Sequence, residues 1–233
     1  MRSLLLSTLL FSILSYGQNQ DAQLWTGLGL KADLGKKISL KYETQARFYK
    51  NASTLRTYYN ELSAGYELLK NFGLGVSYRY SRKNKEDYFT GENRFCLNAD
   101  YSYKIAETGL RIKARARYQL GFDRTAVIND VIYPNIRSTF RCKFDLKYKN
   151  ADFKRVMPFV GYELFKAIQP AGFSGLDGYR IYAGLDFDLP ARHELGIKYI
   201  YEMDYGSQQN ITHNYVLQYN YVLPSKWFKK KKD

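Results

Sequence analysis

The sequence predicts an all-β protein, a transmembrane antiparallel β-barrel of about 12 strands (10–12), with short turns at the periplasmic end and longer outer loops. Three observations predict it. Apolar and polar residues alternate with period two in segment after segment, and the connections between segments are alternately short and long. After residue 17 no apolar stretch approaches the ~18 residues of a spanning helix, so any membrane crossing is made by strands.

The chain starts with Met1-Arg2 and an apolar run from Leu4 to Leu14, too short to span a bilayer as a mature helix. With small Ser15 and Gly17 before a cut, residues 1–17 read as a signal peptide; the alternative is a short N-terminal anchor. Subtracting 17 from 233 leaves 216 residues, a length that fits one domain, with the barrel at 18–223 and a basic tail at 224–233.

Eleven segments follow in order. The first, 24–34, begins with Leu24-Trp25 and stops at the tight turn Gly35-Lys36-Lys37. In 38–50, Ile38, Leu40, Tyr42 and Phe48 oppose Lys41, Glu43, Gln45 and Arg47. Segment 56–69 carries Glu61 and Glu67 on its polar phase; in 72–82, Leu74, Val76, Tyr78 and Tyr80 oppose Gly75, Ser77 and Arg79. Segment 92–105 places Cys96 and Asp100 on the polar phase and Tyr101 and Tyr103 near its end. The period is clearest in 109–121, where Leu110, Ile112, Ala114, Ala116, Tyr118 and Leu120 alternate with Arg111, Lys113, Arg115, Arg117 and Gln119.

Segment 135–149 sets Ile136, Phe140, Phe144, Leu146 and Tyr148 against Arg137, Arg141, Lys143, Asp145 and Lys147. Segment 155–166, with Glu163, is the weakest. In 177–189, Tyr179, Ile181, Ala183 and Leu185 oppose Arg180, Gly184 and Asp186, and in 193–205, Leu195, Ile197, Tyr199 and Tyr201 oppose Gly196, Lys198 and Glu202. The last, 211–223, contains Tyr219 and Tyr221. Loops are expected at 51–55, 83–91, 122–134, 167–176 and 206–210. Because single-chain bacterial barrels have even strand numbers, eleven segments imply that residues 18–24 add a strand or thread the lumen, or that 155–166 is an incomplete crossing.

Composition agrees: 23 Tyr and 14 Phe against 5 Pro suit half-buried strands. A mean hydropathy of -0.48 is no obstacle, because only one face of each strand needs to be apolar. The two cysteines fall on opposite phases, Cys96 polar and Cys142 apolar, so no disulfide is expected. The competing soluble reading is a lipocalin-like barrel with its apolar phase inward, but such barrels have about eight strands.

If the charged phase faces the lumen, it supplies a basic ladder of Arg111, Lys113, Arg115, Arg117, Arg137, Arg141, Lys143 and Arg180. Acidic residues on the same phase are Glu43, Glu61, Glu67, Asp100, Glu163, Asp186 and Glu202. Two uses follow: a closed structural or interaction barrel laced by salt bridges, or a small pore favouring anionic solutes, toward which the net charge of +14 also points. Charge spread through strands lacks the basic patch that nucleic-acid recognition needs. A third use, hydrolysis of lipid at the rim by His213 with Ser207, Glu202 and Asp204, rests on spacing alone. No metal-ligand cluster and no phosphate-cradling loop stands out, so no cofactor is expected, and the expected partner is outer-membrane lipid.

The chain resembles the DUF2490 family of Bacteroidetes-type outer-membrane barrels of unknown function. The likeness lies in Leu24-Trp25, the Gly-Lys-Lys turn, Glu43 with Arg47, Glu92-Asn93-Arg94, the Arg111–Arg117 ladder, Glu163-Leu164-Phe165, Tyr179-Arg180, and His213 leading into Tyr219-Asn220-Tyr221. It implies a barrel fold and an outer-membrane location without a reaction, and the tail at 224–233 departs from a barrel that stops at its last strand.

Overall fold

In a computed structural model, the protein is a closed barrel of eleven strands. The structure describes residues 21–128, 131–149, 155–168, 176–205 and 210–224, and only the backbone of 124–128 and 131–135. Expectations for the signal peptide at 1–17 and for nearly all of the tail lie outside the described residues.

The strands are β1 (Asp21–Leu34), β2 (Ile38–Tyr49), β3 (Thr54–Leu69), β4 (Phe72–Asn84), β5 (Phe89–Lys104) and β6 (Leu110–Ile128). They continue as β7 (Val131–Tyr148), β8 (Val156–Ile168), β9 (Gly178–Leu189), β10 (His193–Asp204) and β11 (Asn210–Val222), each pairing with its sequence neighbours. The shortest has 12 residues, more than the roughly 9 to 11 a tilted strand needs to cross hydrocarbon. β8 is a full strand, paired to β7 from Ser138↔Ile168 to Lys147↔Phe159 and to β9 along its length, so no crossing is missing there.

The count of eleven lies within the expected 10–12, and the barrel is antiparallel at every pairing but one. Successive strands reverse direction, so after an odd number the last runs the same way as the first. β1 accordingly closes on β11 in parallel, from Asp21↔Thr212 to Lys31↔Val222. Closure leaves no edge of unpaired backbone groups, which is the condition for placing strands in lipid.

The loop expected at 122–134 is a correction. β6 and β7 continue as a hairpin from Phe122↔Ile136 to Ile128↔Val131, with a register shift between Arg124 and Ala126. Pairing of β6 with β5 stops at Glu92↔Asp123 and pairing of β7 with β8 stops at Ser138↔Ile168, so the hairpin stands above its neighbours. Pro134 is tolerated because that stretch of β7 is an edge.

At the other end the turns are tight. Gly109 takes a φ of 71°, and a Cβ there would sit 2.4 Å from the carbonyl oxygen of Lys149 in the adjacent connection. Only glycine fits this combination of left-handed backbone and close approach.

The apolar phase points outward. Leu62, Leu97 and Val160 are 58%, 60% and 53% exposed, in a band running round the barrel. A continuous apolar exterior of this size is incompatible with a soluble monomer and matches a lipid-facing wall, so the lipocalin-like alternative is excluded. Aromatic rings cluster toward both ends of this wall. Tyr162, Tyr179, Tyr201 and Tyr205 form a chain at the long-loop end with centroids 5.9 to 6.3 Å apart. His193 packs between Tyr219 and Tyr221 at the short-turn end, at 5.6 and 5.1 Å. Such rings suit the two membrane interfaces.

Candidate functional site: a partitioned, charge-laced lumen

Strand alternation sends the charged phase inward, so the question is how the enclosed charges are satisfied. Across the middle of the lumen they meet in a network. Glu163 on β8 accepts from Arg141 on β7 at 2.8 Å and lies 3.5 Å from Arg180 on β9, which in turn donates to Glu202 on β10 at 2.7 Å. Opposite, Arg79 on β4 donates to Glu61 on β3 at 2.7 Å, and the Tyr59 hydroxyl donates to Glu43 at 2.6 Å. Glu43 also pairs with Lys41.

Aromatic faces complete the belt. The Arg47 guanidinium lies 3.8 Å from the centroid of Trp25, Arg79 lies 3.8 Å from that of Tyr59, and Arg141 and Arg180 both lie 4.7 Å from that of Phe165. Arg47 has no carboxylate within 4 Å among the described residues and donates instead to Gln45 at 2.7 Å. A planar, weakly hydrated cation tolerates an aromatic face as a neighbour.

Beneath these charges lies an apolar cluster that sequence reasoning missed. Trp25, Tyr182, Ile200 and Val216 pack together inside the barrel with Phe159 against them. The signal was present: Tyr182 sits between Arg180 and Gly184, and Ile200 between Lys198 and Glu202, large apolar residues on the polar phase. Room for the Tyr182 ring comes from Gly161 on the neighbouring strand, where a Cβ would lie 2.3 Å from it.

Cavities lie at the level of the belt and to either side of it. A cavity of about 690 Å³ opens at the long-loop end and another of about 330 Å³ lies deeper. Trp25, Arg47, Tyr59, Arg79 and Arg180 line both and mark the level at which they meet, where a third space of about 380 Å³ shares Arg47, Arg79 and Arg180 with each.

The expected site residues are distributed rather than gathered into one centre. Arg117, Arg141, Lys143, Arg180, Glu43, Glu61, Glu163 and Asp186 line the deeper cavity, with Arg117 held by Asn98 at 2.6 Å. Glu202 lines the outer one. Lys113, Arg115 and Asp100 line a chamber of about 230 Å³ toward the short turns, while Glu67 and Arg111 line a recess at the turn end. Arg137 stands apart near the other rim, paired with Asp123. Between the outer turns, Lys50 reaches Glu86 at 3.4 Å, and that hydrogen bond raises the ammonium above its ordinary value.

Glu202 and His213, two of the residues expected at a rim hydrolase, do not converge. Glu202 points inward to Arg180, whereas His213, one strand over and opposite Tyr201, lies on the lipid-facing phase with its Nδ1 2.5 Å from the Tyr199 hydroxyl. Ser207 lies outside the described residues. Among the described residues no group of His, Cys, Asp or Glu could hold a metal ion. Cys96 and Cys142 are both free, Cys96 buried on the inner phase and Cys142 on the outer.

No curated protein matches the chain. The crystal structure of the β domain of the Bordetella autotransporter Brka is similar over 76% of this chain and 78% of that chain, with 15% sequence identity and a TM-score of 0.48. The family described as "Protein of unknown function (DUF2490)" matches residues 22–213, from the first strand into the last, and the chain belongs to that family.

Proposed function

We propose that the chain is an outer-membrane barrel whose resting lumen is closed, with a basic vestibule open at the long-loop end. The apolar outer wall, the aromatic rings at both ends and the tight turns at one end support insertion in that membrane, with outer-membrane lipid as the direct partner. The observation that carries the closed reading is the set Trp25, Arg47, Tyr59, Arg79 and Arg180, which lines both the outer and the deeper cavity at the level where they meet. Each of its guanidinium groups is tied to a carboxylate, an amide or an aromatic face, so it holds its place.

Planar-bilayer recording tests this. Wild-type protein is expected to give no steady open level, and Trp25→Ala with Arg47→Ala is expected to give channel events. Heat-dependent gel mobility establishes that the variant is folded. A steady open channel in the wild type overturns the closed reading.

A second reading, a small anion-favouring pore gated at this level, is supported by the surplus of cations that β6 adds to the deeper lumen. Neutralising Arg111, Lys113, Arg115 and Arg117 would then weaken any preference for anions in a conducting form. An unchanged preference clears the ladder of that role.

A further inference from the structure

The chamber of about 230 Å³ toward the short turns holds five cations, Lys113, Arg115, Lys143, Lys147 and Lys198, against three carboxylates, Asp100, Asp145 and Asp186. All three carboxylates are taken. Asp100 accepts from Arg115 at 2.6 Å, Asp145 accepts from the Tyr182 hydroxyl and lies 3.2 Å from Lys143, and Asp186 pairs with Lys147. Lys113 and Lys198 are left with no carboxylate within 4 Å among the described residues.

Position explains why no acid reaches them. The cross-strand partner of Lys113 on β7 is Asp145, already engaged by two other groups. Lys198 faces Gly184 on β9 and Val216 on β11, neither of which carries charge. The ammonium of Lys198 is 5.4 Å from the Tyr182 ring centroid and that of Lys143 is 5.1 Å from it, so two like charges share one ring.

Five minus three leaves a surplus of two positive charges in a chamber inside the barrel that is continuous with the deeper cavity through Arg115, Lys143 and Lys198. Enclosed cations that are not paired by the protein are costly, and in a narrow lumen the remedy is an anion from solution. We infer that this chamber is a binding site for a doubly charged tetrahedral oxyanion, of the class of inorganic phosphate or sulfate. Two charges match the surplus, and compact ammonium groups of Lys bind such an anion as point charges from several sides. Asp100 lines both this chamber and the recess that contains Glu67 and Arg111, so the chamber borders the short-turn end.

The inference rests on the reading of the lumen as enclosed, but its test does not depend on conductance. Purified full-length protein in detergent, exchanged into buffer free of both anions, is titrated calorimetrically with inorganic phosphate and, separately, with sulfate, with chloride at equal ionic strength as the control. Saturable binding of phosphate or sulfate, one per barrel, is expected, with none for chloride. Lys113→Gln and Lys198→Gln should each weaken it by roughly tenfold, the loss of one charged hydrogen bond, and the double variant should abolish it. Lys50→Gln, on the far rim, should bind as the wild type does. Removing surplus charge should leave the fold intact, and unchanged heat-dependent gel mobility checks it. Absence of saturable binding in the wild type, or undiminished binding in the double variant, overturns the site whatever the bilayer recordings give.

Discussion

Glu163 is the residue on which the lumen network turns. It faces two guanidinium groups, Arg141 and Arg180, and its side chain and both of theirs are largely shielded from solvent. Replacing it with Ala would leave Arg141 without a carboxylate and Arg180 with Glu202 alone. Breaking a shielded pair by removing one partner costs about 3–5 kcal/mol. Urea unfolding in lipid vesicles should therefore shift to a lower midpoint for Glu163→Ala, and a midpoint equal to wild type would show the network to be ornamental. Lys50→Ala, whose pair with Glu86 is exposed, should leave the midpoint unchanged.

How much of this residue-level picture could be read beforehand depends on phase. Period-two alternation put Arg141, Arg180 and Glu163 on one phase from the sequence alone, but it is silent about which acid meets which base, since that depends on the stagger between strands. The same rule also takes Tyr182 and Ile200 inside, where their hydropathy would not put them. Strand phase outweighs hydropathy there because the backbone alternation is rigid.

Among the elements, β8 and β9 are fitted to one another by a missing side chain. Gly161 leaves the space that the Tyr182 ring fills, and Tyr182 then donates to Asp145 two strands away from its own. Gly161→Val should push the ring out, break that hydrogen bond and lower resistance to urea; a wild-type midpoint would refute the fit. The hairpin of β6 and β7 shows the opposite limit of sequence reading. The composition of 122–134 signals a loop, yet β6 runs on to Ile128 and β7 starts at Val131, so the ladder continues past the rim. Turn residues mark where a chain reverses, not how far the ladder beside them extends.

For the whole molecule, the eleven segments were all legible, but the arithmetic of closure was not. Nothing in a strand's own residues records that it will pair with a strand nearly two hundred positions away, as Asp21 does with Thr212. Cysteine chemistry offers a check on the whole wall. In vesicles, a membrane-impermeant maleimide should spare Cys142, which lies on the lipid-facing phase, and Cys96, buried inside, until the protein is unfolded. Rapid labelling of Cys142 in the folded state would contradict its placement.

The parallel seam between β1 and β11 has a consequence for the direction of travel. β1 begins where the long loops are, and β11 finishes among the short turns, so the barrel's two ends emerge on opposite faces of the bilayer. With the short turns toward the periplasm, whatever precedes Asp21 must be carried through to the cell's exterior during assembly. An epitope placed just ahead of Asp21 should then bind antibody on intact cells, and one placed after Val222 should bind only once the envelope is permeabilised. Identical behaviour of the two would mean that the polypeptide does not pass through the membrane an odd number of times.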